Sequence, residues 1–145
     1  MDTEAADQFI LDIGGEGRNR EAWNLNPSRV KTCGPERGTP IPRWIAGRGD
    51  AIPLEDGVVD LVIMERTPLL RAVVAEIRRV LKPTGTAILR HVRPLGRDPH
   101  RDLVELLPGQ WEQRTWQAGR HVLQETVIRL DPSRSASPLA ERQGS

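Results

Sequence analysis

Phe9-Ile10-Leu11-Asp12-Ile13 runs directly into Gly14-Gly15-Glu16-Gly17. A short, nearly continuous apolar run that stops at a glycine-rich turn is the pattern of a strand buried on both faces, as in a parallel sheet. Only Arg18 to Glu21 separate this turn from Ala22-Trp23-Asn24-Leu25-Asn26, a brief alternating stretch closed by Pro27. A second strand therefore follows with no room for a full crossover helix.

Residues 27–43 hold Pro27, Pro35, Pro40 and Pro42 with Gly34 and Gly38, a composition that resists regular structure. A loop of this length between strands is expected to be a binding loop, and its prolines suit a semi-rigid lid that ligand would order. Trp44-Ile45-Ala46-Gly47 reads as a third strand leading into Arg48-Gly49-Asp50-Ala51. Val58 to Met64, apolar except for Asp60, is a fourth, and it stops at Glu65-Arg66-Thr67-Pro68. Leu70, Val73, Val74, Ile77, Val80 and Leu81 recur at helical spacing and predict an amphipathic helix, ended by Lys82-Pro83-Thr84-Gly85. Thr86 to Val92 is the next strand. Asp98-Pro99 predicts the start of a short helix that stops near Pro108-Gly109. Trp111 to Gln117 and Arg120 to Leu130 then form a hairpin around Ala118-Gly119. From Asp131 the chain is rich in Ser, Arg, Pro and Ala, so residues 1–130 are expected to fold as one domain and 131–145 to be a disordered tail.

Composition narrows the function. A chain of 145 residues fits one domain. Its 21 basic and 20 acidic residues are scattered, without the basic run of a nucleic-acid-binding protein, so no nucleic-acid partner is expected. All basic residues except Lys31 and Lys82 are Arg, which a GC-rich genome explains. A single cysteine, Cys33, forms no intrachain disulfide, and neither a leader pattern nor a membrane-length apolar run is evident. The expectation is a cytoplasmic protein without a membrane partner.

Five strands read as mostly parallel, then a helix and a terminal antiparallel hairpin, resemble the class I S-adenosylmethionine-dependent methyltransferases over residues 8–130, in a compact or truncated form. The resemblance implies an α/β fold with a Rossmann-like, mostly parallel seven-stranded sheet ending in an antiparallel hairpin, with reduced helices. It implies S-adenosylmethionine as cofactor, with Asp12, Gly14, Gly15, Glu16 and Gly17 against its methionine part and glycine permitting close approach. Asn24, taken as the end of strand two, falls where relatives place a ribose-binding carboxylate. Gly49-Asp50-Ala51 resembles the adenine-binding turn, with Asp50 accepting from the exocyclic amine and Ala51 beside it. Glu65 and Arg66 fall at the start of the catalytic loop, Glu65 as base or orienter. Lys82-Pro83-Thr84-Gly85 resembles the family's turn before the fifth strand. This sequence departs from the pattern in carrying Glu16 and Arg18 where glycine commonly repeats, and in lacking the helix between the first two strands and the N-terminal cover helices.

The remaining chemistry-bearing residues have plainer readings. His91 is expected to be a packed or hydrogen-bonded strand residue, His100 and His121 to be on the surface, and the four Trp to fill the core. Three separated His and one Cys give no metal-ligand spacing, so no metal is expected. The first turn lacks Gly-x-Gly-x-x-Gly and a following helix, which disfavours a nicotinamide site. Two functions fit: methyl transfer to a small-molecule or peptide substrate, or a non-catalytic methyltransferase-like binding or scaffold subunit. The missing crossover helix leaves apolar sheet uncovered, so a homodimer or partner subunit is expected.

Overall fold

The protein is described by a computed structural model covering residues 8–65, 67–95 and 97–134. Its elements are β1 (Ile10–Ile13), β2 (Trp23–Asn26), β3 (Trp44–Ala46), β4 (Val59–Met64), α1 (Arg71–Val80), β5 (Leu81–Val92), a one-turn α2 (Arg101–Val104), β6 (Gly109–Ala118) and β7 (His121–Leu130). The strands form a single sheet in the order β3-β2-β1-β4-β5-β7-β6. The first five are parallel, and β7 is antiparallel to both its neighbours. This is the mostly parallel seven-stranded sheet with a terminal hairpin and reduced helices that the sequence predicts.

The apolar stripe of α1 explains which face is covered. Val73, Val74, Ile77 and Val80 are buried against Leu11, Ile13, Leu25, Val62, Met64, Ala87, Leu89 and Ile128. Val104 of α2 joins the same cluster. On the opposite face the described residues form only a small cluster, from Ile10, Ala22 and Ile63 with half-buried Leu61. Both described helices thus lie on one side of the sheet.

Lys82-Pro83-Thr84-Gly85 is not a free turn between helix and strand. Val59 pairs with Leu81 and Leu61 with Thr86, so these residues are looped out of an otherwise continuous β4–β5 register. Lys82 ties the excursion down through a 2.9 Å ion pair with Asp60. Two side-chain expectations are overturned. None of the four Trp is buried: Trp23 and Trp111 are exposed, and Trp44 and Trp116 half-buried. Strands of an edge or of a half-covered sheet leave no enclosed space for an indole. His100 is fully buried rather than on the surface, because α2 folds over β7 and brings its ring to Thr126. Residues 131–134 form a turn in which Asp131 donates its amide to Pro108. The rest of the expected disordered tail, 135–145, lies outside the described residues.

Candidate functional site

The carboxyl ends of β1, β2 and β3 surround a cleft. At its floor the chain leaves β1 through Gly14 at φ +77° and reaches Gly17 at φ +104°, conformations that disfavour a side chain. A Cβ on Gly14 would strike Thr67 Oγ1, one on Gly15 the Asn24 and Asp12 side chains, and one on Gly17 the Pro42 ring at 2.8 Å. The turn is therefore bare because neighbouring elements close on it, and that leaves backbone facing the cleft.

One cavity of about 440 Å³ lies over β2 and β3, walled by Ile13, Leu25, Leu70 and Val73, with Asn26 and Asp50 as polar groups. A second, of about 530 Å³, lies over the turn and carries the carboxyl groups of Asp12, Glu16, Glu36 and Glu65 against Arg18 and Lys31. Both volumes suit a small organic ligand. Gly14, Glu16 and Cys33 line both, so the two halves adjoin at the turn. A third cavity of about 500 Å³, lined by Glu65, Pro68, Leu69, His91, Val92 and Pro99, adjoins them at Glu65 and Pro68.

Each acidic residue here has a distinct assignment. Asp12 is buried and accepts from Asn19 Nδ2 at 2.8 Å; burial pushes its carboxyl up to about 6 despite that bond. Glu16, standing where a further glycine was expected, reaches across to the long loop. It accepts from the Thr32 amide at 3.1 Å, the Thr32 hydroxyl at 2.5 Å and Cys33 Sγ at 3.5 Å. Burial raises it, but the Thr32 and Cys33 bonds outweigh that and hold it below the usual carboxylate range. Its carboxylate is thus committed to the loop. Glu65 accepts from Arg18 Nη1 at 2.8 Å and Arg90 Nη1 at 2.7 Å, one guanidinium on each oxygen. The two guanidinium contacts fix the orientation of the carboxylate.

The Asn24 expectation needs correction. Asn24 is buried inside β2 opposite Asp12, where its amide donates to Pro42 O at 2.7 Å and its oxygen accepts from Gly17 N at 3.1 Å. It ties the turn to the loop and does not line any of the three cavities. The residue at the strand end is Asn26, which lines the β2–β3 cavity and braces it by donating to Gly15 O and accepting from Ser28 N. Its position immediately before Pro27 was the available signal. Asp50 stands at the rim of that cavity, exposed and paired to Arg48 at 3.4 Å. Ala51 is not part of the lining, and its amide closes the turn onto Arg48 O. Arg66 lies outside the described residues.

Sequence reasoning also missed what holds these loops. Glu76 Oε1 accepts from Ile52 N at 2.7 Å, and Arg79 donates to the Ile52 and Leu54 carbonyls and to Asp56, so the polar side of α1 clamps the segment after Asp50. His91 Nε2 faces Thr67 O and Nδ1 faces His100 Nε2, both at 2.8 Å, while His100 Nδ1 faces Thr126 Oγ1 at 2.7 Å. Because a carbonyl only accepts, His91 Nε2 carries a proton. With both rings neutral, His100 Nε2 donates to His91 and Thr126 donates to His100. Burial lowers both imidazoles, His100 to about 4.

The sequence matches the family described as methyltransferase domain over residues 12–89. No curated protein matches it significantly. Among solved structures, a 16S rRNA (adenine(1408)-N(1))-methyltransferase from Catenulisporales acidiphilia with cosubstrate SAM is 16% identical, with 90% of each chain covered and a TM-score of 0.57. A SAM-dependent methyltransferase from Thermotoga maritima is 18% identical, covering 85% of this chain and 82% of that one at a TM-score of 0.60. Another from Methanosarcina mazei is 12% identical, with 87% and 93% covered at 0.62. At these identities the likeness is one of fold.

Proposed function

Because the chain belongs to the methyltransferase-domain family, whose cofactor is S-adenosylmethionine, we propose that it transfers a methyl group from that cofactor to a small molecule or peptide held beyond the ends of β4 and β5. The observation that carries this reading is the cleft itself, which offers Ile13, Leu25, Leu70 and Val73 beside Asn26 and Asp50 over β2–β3 and four carboxylates over the β1 turn. Those two characters match an adenosine and a cationic amino-acid sulfonium. Asn26 and Asp50 would meet the polar edges of the nucleoside, and Asp12 supplies negative charge on the cationic side. When bound, S-adenosylmethionine supplies a methyl group already activated by its positive sulfur.

The chain's own task is then to orient and to exclude water. Glu65, fixed by Arg18 and Arg90, stands between the cofactor cleft and the β4–β5 cavity. The third cavity is walled by Pro68, Leu69, Val92 and Pro99, which favours an acceptor with an apolar body. His91 has both ring nitrogens engaged and is not poised as a base, which leaves the Glu65 carboxylate to orient the acceptor or take its proton. Calorimetric titration with S-adenosylmethionine tests the reading: saturable binding is expected, and a silent titration overturns it.

A further inference from the structure

The two edges of the sheet differ sharply. β3 offers three residues, whereas β6 offers ten, Gly109–Ala118, with no proline and no lysine to discourage pairing. The register of the hairpin fixes which backbone groups that edge leaves open. Ala118 faces His121 across a two-residue turn, and Asp131 N donates to Pro108 O. In an antiparallel ladder bonded pairs alternate, so the even-numbered residues of β6 direct their amides and carbonyls to β7. Those of Trp111, Gln113, Thr115 and Gln117 point outward.

We infer that β6 pairs antiparallel with β6 of a second copy of this chain about a two-fold axis at Gln113, continuing the sheet across a homodimer. Only odd residues have open backbone groups, so the pairing must set odd against odd. Two such registers, centred on Gln113 and on Arg114, pair nine of the ten residues, and the next, centred on Glu112 or Thr115, pair only seven. Centring on Glu112 or on Arg114 would place each charge against its own copy, which is unfavourable. Centring on Gln113 places Glu112 opposite Arg114 of the second copy, twice by symmetry, and Trp111 opposite Thr115. Both charged side chains have room for this, at 77% and 68% exposed, although Arg114 also pairs with Glu125 at 2.8 Å and Glu112 with Arg129 at 3.7 Å. The pairing is isologous and closes, leaving no further edge of comparable length among the described residues.

Sedimentation velocity over a range of concentrations should give a dimer. Glu112→Arg and Arg114→Glu should each weaken association at least tenfold, and the double variant should restore it. A monomer at every concentration, or single reversals that associate as the parent does, overturns the inference. Since Arg114→Glu also disturbs Glu125, a second measurement stands apart from it. In a Cys33→Ser background, Gln113→Cys should oxidise to a covalent dimer, because bonded partners lie about 5.5 Å apart at Cα. Gln117→Cys should not, being distant from its own copy. Equal cross-linking at both positions, or at neither, refutes the stated register.

Discussion

At the residue scale, the site depends on which of several chemically similar groups is buried and which is spent. Asp12 is almost fully enclosed, with its carboxyl at about 6. It is therefore anionic above that pH and neutral below it, and a cationic ligand beside it should bind less tightly as pH falls through 6. Asp12→Asn keeps the bond to Asn19 but removes the charge. Its affinity for S-adenosylmethionine at pH 7.5 should drop about tenfold and become independent of pH between 5 and 7.5, the equivalent of one lost charge-assisted contact. Calorimetry across that range would show it, and a variant that keeps the parent's pH dependence would remove Asp12 from the ligand. Asn24 and Asn26 are the same residue type on one strand, and only the proline after Asn26 hints in the sequence at which of them ends it. Which one meets the cleft depends on the β1–β2 register, a non-local fact that sets Asn24 opposite Asp12. Asn24→Ala should thus lower stability by about 2 kcal/mol through two lost buried hydrogen bonds, while the affinity of the folded protein changes only a few-fold. Urea unfolding alongside titration separates the two effects.

At the element scale, what was legible followed from local pattern. β1 and its turn, β4, α1 and the hairpin each show in a few adjacent residues, because burial on two faces, helical periodicity and turn chemistry are local consequences of the fold. The contacts that fix the loops were not legible, since each joins positions far apart: Glu16 with Thr32, Glu76 with Ile52, His91 with His100 and Thr67. The long loop was expected to be a lid. It is a folded strap, with Val30 bridged to Pro40 and Lys31 paired to Glu36, and Glu16 anchors it over the turn. Glu16→Ala removes the acceptor of the Thr32 amide. Hydrogen exchange in residues 30–34 should accelerate in that variant and slow again on adding S-adenosylmethionine. Exchange unchanged by the substitution would mean that the strap holds itself.

At the scale of the whole molecule, the sequence pointed to a sheet lacking its β1–β2 helix, and the structure shows both described helices on one face. Three buried groups titrate in one window, Asp12 with one sign and the imidazoles of His91 and His100 with the other. Asp12 is raised from 3.8 to about 6, so the folded state holds its proton more tightly than the unfolded chain. Its ionisation removes stability as pH rises from about 4 to 6, and the loss persists above that. His100 is lowered from 6.5 to about 4, burial being the larger cause and His91 the lesser. Its neutral form is favoured by folding, so stability is complete above 6.5 and is lost as pH falls toward 4. Each shift corresponds to at most about 3 kcal/mol, and relaxation of nearby polar groups brings that to about 2. The ordinary carboxylates with lowered values act only nearer pH 4. Between pH 6.5 and 4.5 the gain from Asp12 therefore offsets part of the loss from His100 and His91, so the parent protein should lose only modest stability, at fixed concentration so that association does not intrude. Asp12→Asn, left with the two imidazoles, should lose more stability on acidification than the parent, and His100→Gln, with Asp12 against His91 alone, should lose less. Urea midpoints measured at half-unit steps would reveal two curves diverging from the parent in opposite directions; parallel curves would show that neither group titrates differently in the folded chain.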